Sequence, residues 1–190
     1  MVGTDPLEVD RLLFGGRLRC PGCRGELRPW GHARPRGVRG EDAVTGVRPR
    51  RSSCSSCRGT HVLLPAVMLA RRADAVMVIG AALLGKAAGL GHRRIAVASG
   101  RPVSTVRGWL RRFAGRADSV RVLFTGLVHA LDSAAAALVP TGSSFGDALD
   151  AVGRAAAAAA RLFGPRPPWE YASFASGGQL LAPGRAAHTS

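Results

Sequence analysis

The chain has 190 residues, 46% apolar but only 5% aromatic, and a formal net charge of +15. That length allows one moderate domain or two to three small ones. An apolar set rich in alanine and poor in aromatics predicts a mainly α protein and excludes a large sheet sandwich.

The charge is unevenly placed. Of 27 basic residues 26 are arginine, with Lys86 the only lysine. Genome composition explains arginine over lysine, but not the distribution: residues 1–113 hold 21 basic and 7 acidic side chains, and residues 114–190 hold 6 and 5. An excess that stops near Phe113 points to a polyanionic partner, because arginines that neutralise phosphates release counterions. An anionic membrane surface is the weaker alternative.

Residues 1–15 are an N-terminal segment that starts "MVGTDPLEVD", acidic and without the basic start and apolar run of a leader peptide. The apolar stretch "AVMVIGAALLG" is 11 residues long, short of the ~20 a bilayer needs. The expectation is a cytoplasmic, nucleoid-associated protein with no membrane partner. Structural disulfides are rare in that compartment.

Residues 16–64 carry all four cysteines, as Cys20-x2-Cys23 and Cys54-x2-Cys57 with 30 residues between the pairs. Such a pair is a redox dithiol, a disulfide or half of a metal site. A two-residue spacing lets two thiolates reach one ion from a single turn, and four complete a tetrahedral zinc shell. Both pairs continue alike, "CPGCRG" and "CSSCRG", and Gly25 and Gly59 are the expected positive-φ positions of two knuckle turns. A thioredoxin-like dithiol precedes a helix, whereas here "THVLL" reads as a strand ending at Pro65. The expectation is a zinc ribbon with two short strands, a long exposed loop and one structural Zn2+ per chain. His32 and His61 are left to surface or supporting roles. Of the arginines near the second pair, Arg50, Arg51 and Arg58, some are expected to balance the charge of four thiolates on zinc.

Residues 65–114 read as three helices. Asp74 is a candidate cap for a helix to about Lys86, with Val76, Ile79, Leu83 and Leu84 on one face. Two short helices, about 92–98 and 103–113, follow around "SGRP", which offers Gly100 for the turn and Pro102 for the next helix start. Ile95, Ala96, Val106, Trp109 and Leu110 form the inner faces. Ser104, Arg107, Gly108 and Arg111 lie opposite.

The placements of Ala96, Gly100, Val106 and Trp109 resemble those of helix-turn-helix DNA-binding domains, and "RRIAVASGRPVSTVRGWLRRF" is similar to the helix-turn-helix of bacterial transposases and their relatives. The resemblance implies that helix 103–113 enters the major groove of double-stranded DNA. It places Ser104 and Arg107 at base edges, Thr105, Arg111 and Arg112 at phosphates, and Arg93 and Arg94 against the backbone, with Arg101 added from the turn. The order of parts over about 16–114 resembles poorly characterised bacterial proteins related to the N-terminal DNA-binding regions of insertion-element transposases. That implies transcription regulation or a mobile-element association.

Residues 118–139 and 144–163 read as a helical hairpin over 118–164, with Asp118 a cap for the first helix and Ser144 with Asp147 a capping box for the second. A homodimer through 118–164 is a possible use of this pair. Residues 165–190 read as a flexible tail, with docking of Trp169, Tyr171 and Phe174 as the alternative. No enzyme is expected. Asp118, Asp132, Asp147, Asp150 and Glu170 do not fall among the alternating strands of a two-metal nuclease site, and no small-molecule substrate is evident. The competing reading is a zinc-ribbon module for protein or RNA without sequence-specific DNA readout.

Overall fold

A computed structural model describes residues 2–182. The protein is mainly α, with seven helices and two small antiparallel sheets among the described residues. Asp5 caps α1 (Pro6–Phe14) by accepting the Leu7 N–H, and Pro6 takes the first helical position. The cysteine region holds β1 (Leu27–His32), β2 (Arg36–Arg39), β3 (Val44–Val47), β4 (Arg50–Cys54) and β5 (Thr60–Leu63). Strands β1, β4 and β5 form one sheet with β4 central, and β2 and β3 form a separate hairpin. Five strands thus lie between or beside the cysteine pairs where two and an exposed loop were expected. The extra hairpin forms because Val38 has a helical body to bury against.

Helices α2 (Val76–Ala87), α3 (His92–Ser99) and α4 (Val103–Ala114) make a tri-helical unit at the boundaries the spacing predicts. Helix α5 (Ala117–Leu131) packs on α6 (Ser144–Phe163) and runs in the same direction. Asp132 after α5 meets Arg161 near the end of α6, while Arg121 lies near Asp147 at its start. Residues 132–143 return alongside α6, so the pair is not the helical hairpin expected. Helix α7 (Pro168–Ala175) returns to α2.

Three local details differ from the sequence reading. Helix α5 stops at Leu131 rather than 139, where the Asp132 carboxylate takes the Ala134 N–H in a local turn and holds Arg161 at 2.8 Å. Asp118 lies in the first turn of α5 instead of capping it. The cap of α6 is Ser143, which accepts from Gly146 N–H, while Asp147 accepts from the Thr141 N–H and hydroxyl, contacts that lower its carboxyl pKa.

The segment expected as a tail folds in part. Trp169, Leu180 and Leu181 are buried in the main core, and the Ser173 hydroxyl donates to the Met68 carbonyl at 2.6 Å. The Trp169 indole lies so close to Gly80 that a Cβ there would overlap the ring. The remainder of 165–190, from Pro183, lies outside the described residues.

Two apolar clusters result. The large one runs from Val38 through the helices to Leu181. The small one contains Val2, Val9, Leu13, Leu27, Leu63 and two cysteines, Cys20 and Cys54. No helix among the described residues is long and apolar enough to cross a membrane.

Candidate metal centre and nucleic-acid interface

The two cysteine turns are built alike. Cys20 N–H donates to Gly25 O and Cys54 N–H to Gly59 O, while Arg24 N–H returns to Cys20 O and Arg58 N–H to Cys54 O. The positive-φ residues are Arg24 (64°) and Arg58 (61°), not the glycines expected. The glycines serve close approach instead. A Cβ on Gly25 would stand 2.9 Å from Cys54 Sγ, and one on Gly59 3.3 Å from Cys57 Sγ.

Pairing of β1 with β4 sets Leu27 opposite Cys54 and brings the turns together. All four Sγ atoms then lie within 4.8 Å of one another. Cys20 and Cys57 are 3.8 Å apart and Cys23 and Cys54 3.4 Å. Zinc–sulfur bonds of ~2.3 Å in a tetrahedron place sulfurs about 3.8 Å apart. The four thiols are free, not bridged, and the set can hold a metal ion.

Electrostatics favour a cation there. The N–H groups of Cys57 and Ser56 bring the Cys54 thiol down to about 6. Cys23 goes up to about 11: the Gly25 N–H favours its thiolate, but the crowding sulfurs of Cys54 and Cys57 outweigh it. Four thiolates share this volume only with positive charge among them. His61 Nε2 stands 3.4 Å from Cys20 Sγ, a position from which an imidazole steadies a ligand. His32 lies at the exposed end of β1, away from the sulfurs.

The chain has no significant match among protein-family models, curated proteins or solved structures.

The second candidate surface is the outer side of α3 and α4. Gly100 between them takes φ 60°, ψ 33° and turns the chain sharply. Ile95, Ala96, Val106, Trp109, Leu110 and Phe113 face inward and are buried. Phe113 meets Phe145 of α6 edge-on with centroids 4.8 Å apart, so α4 is seated on the helical pair. Arg93, Arg94, Ser104, Arg107, Arg111 and Arg112 are exposed and Thr105 is half-buried. None of these arginines enters an ion pair among the described residues.

Arg101, expected beside them, is different. Its side chain is only 12% exposed and pairs with Asp74 at 2.7 Å. It also donates to the carbonyls of Ser99 and Gly40. Its donors are committed inside the protein, so Arg101 braces the turn rather than presenting a free cation. Asp74, expected as a helix cap, is 2% exposed and holds Arg39 bidentately at 3.1 and 2.9 Å on its other side. The cap position of α2 belongs to Ala75, which makes no side-chain bond. This two-arginine brace, with backbone bonds from Arg39 N–H to Ala73 O and from Ala75 N–H to Arg39 O, fastens the β2–β3 hairpin to the tri-helical unit.

Sequence reasoning missed the brace. One signal was present: Asp74 is the only carboxylate between Asp42 and Asp118. A lone acid in a basic stretch is a buried partner more readily than a helix cap. Among the arginines near the second cysteine pair, Arg50 is committed too, to Asp10 of α1 at 2.8 Å. It also lies over the Phe14 ring, 5.5 Å from its centroid.

Proposed function

We propose that the protein is a DNA-binding protein: Cys20, Cys23, Cys54 and Cys57 hold one structural zinc ion in a ribbon, and α3–α4 act as a helix-turn-helix with α4 as the reader in the major groove. The observation that carries the reading is the two-faced character of α4. Its inner side is fully packed, while Ser104, Arg107 and Arg111 stand exposed with no carboxylate to neutralise them. An arginine fork matches the O6 and N7 acceptors of guanine, and a helix so firmly seated presents it without ordering cost at the moment of contact.

Zinc is the ion of choice because four closely spaced thiolates suit a closed tetrahedral site. With no open coordination position, its role is structural. Arg93 and Arg94 at the start of α3, with Thr105 and Arg112, are assigned to phosphates. Arg101 is assigned to the brace. The sequence resemblance supports a setting in transcription regulation or mobile-element biology. A homodimer through 118–164 is part of the reading, since Val122 and Leu123 on α5 are exposed apolar residues. Sedimentation of wild type against Val122→Glu tests it.

A second reading, an RNA-binding ribbon, is favoured by Trp30, which is 59% exposed on β1 beside Arg28. Exposed aromatics beside arginines stack unpaired bases. Binding assays with a selected duplex and with single strands separate the two. Arg107→Ala and Arg111→Ala should each weaken the preferred duplex by about 1–3 kcal/mol and leave metal content intact. Trp30→Ala should leave duplex binding unchanged. Loss of single-strand binding in Trp30→Ala with no effect of the arginine changes would favour the ribbon reading.

A further inference from the structure

A recess of about 260 Å3 opens between residues 71–74 and the first two turns of α4. Arg39, Arg71, Arg72 and Arg112 line it together with the hydroxyl residues Ser104 and Thr105. Three separate parts of the chain supply these arginines: the β2–β3 hairpin, the segment before α2, and the outer side of α4.

The recess has more cation than its own carboxylate can offset. Asp74 is the one acid in its wall, and both its oxygens are already taken, by Arg39 and by Arg101. Arg71 and Arg112 enter no ion pair among the described residues. Arg72 carries the sharpest sign. Its Nε is buried without any hydrogen-bond partner, and its other nitrogens reach only the carbonyls of Arg71 and Leu181. A buried guanidinium donor left unpaired is costly. Burial, with Arg112 nearby adding repulsion, weakens the hold of Arg72 on its charge. Gly108 leaves the α4 wall open, because any side chain there would press on the Arg112 guanidinium.

We propose that this recess is a phosphate-binding site in which Arg71, Arg72 and Arg112, with Thr105, grip one oxyanion. Arginine forks and hydroxyls are the donors that phosphate oxygens take. Under the DNA-binding reading, on which this assignment of source rests, the group is a backbone phosphate beside the groove that α4 enters. The brace at Asp74 then holds the hairpin and the reading helix to the same phosphate. The other source of the same chemistry is a free phosphate species.

The test uses the full, metal-loaded chain. Arginine Nε–H signals are followed by NMR as inorganic phosphate is added, with chloride at equal ionic strength as control. In parallel, binding of the preferred duplex is measured across salt concentrations for wild type, Arg71→Gln and Arg71→Gln/Arg112→Gln. The expected result is a saturable shift of the Arg72 Nε–H with phosphate but not chloride, reproduced by the duplex. The double variant should lose the shift and lower the salt slope by about one unit, as expected for one lost phosphate contact. Its loss of affinity should be similar for every duplex sequence. Should the double variant fold poorly, the exposed Arg71→Gln alone carries the comparison.

A saturable phosphate shift that no duplex reproduces would keep the oxyanion site, assign it a free phosphate species, and count against the DNA reading. Sequence-selective duplex binding with an unchanged salt slope and no phosphate shift at Arg72 would overturn the proposal while leaving the DNA reading intact. No phosphate shift and no duplex binding would overturn both.

Discussion

The three-stranded sheet and the helical body are held together by different physics. The sheet's apolar cluster has five aliphatic side chains and two cysteines at its centre, tied to α1 by the Arg50–Asp10 pair. The helical body buries Phe113, Phe124, Trp109, Leu83 and many alanines in one continuous core. An apolar cluster as small as the first one stabilises little on its own, so the sheet depends on whatever joins its four thiols. The helices depend on area removed from water. The β2–β3 hairpin, separate from that sheet, is fastened to the helical body by one buried carboxylate between two arginines and by Val38 in the helical core.

The largest effect should come from removing the metal. Chelation, or Cys54→Ser, should unfold the sheet and leave the α5–α6 pair folded, because structural zinc sites contribute on the order of 10–16 kcal/mol to small modules. Hydrogen exchange resolved by segment reads this directly, with protection lost in β1, β4 and β5 but kept in α6. Loss of protection throughout would mean that the two regions fold as one.

Next is the helical core. Phe113→Ala should cost about 3–5 kcal/mol in global stability by leaving a cavity against Phe145, measured by denaturant titration. Metal content should stay the same, since the thiols lie in the other cluster.

The joint comes third. Asp74→Ala leaves Arg39 and Arg101 without their shared partner, and breaking a buried pair from one side costs roughly 3–5 kcal/mol. Arg39 is half exposed and can turn to water, which places the expected value at or below the low end. The diagnostic readout is exchange at Arg39 N–H and Ala75 N–H, which should rise ahead of the rest of the hairpin.

The smallest effect is electrostatic. The hydrogen bonds from Arg50 hold the Asp10 carboxyl below its usual range. A carboxyl whose folded pKa is depressed stabilises the fold above its unfolded value, near 4, and loses that contribution as pH falls through the folded value. Asp10→Asn should therefore cost up to about 1 kcal/mol at neutral pH, given the partial exposure of the pair. The difference from wild type should vanish in acid. A constant difference across pH would show packing rather than charge.

Much of this layout was legible in the sequence, and the limits follow from range. Both cysteine turns, the bounds of α2, α3, α4 and α6, and the buried set around Val106 and Trp109 rest on local spacing, which a single chain reveals. The four-cysteine cluster was legible because the repeated Cys-x-x-Cys-Arg-Gly carries its own geometry. Features that need a distant partner were not legible. Asp74 looked like a cap because its arginines are 35 and 27 residues away. Trp169 and Leu181 looked like parts of a tail because the surface that buries them, including Gly80, lies far earlier. The positive φ fell on Arg24 and Arg58 because the glycines are fixed by contact with sulfur, a constraint that composition does not display.

The central claim, that α4 reads a DNA sequence from a metal-supported scaffold, is tested most directly by selection from a random duplex pool with the metal-loaded chain. The account predicts one enriched motif containing guanine, lost with Arg107→Ala/Arg111→Ala although that variant keeps its metal and its thermal stability. A pool with no enrichment, or the same motif enriched by wild type and variant alike, would contradict it.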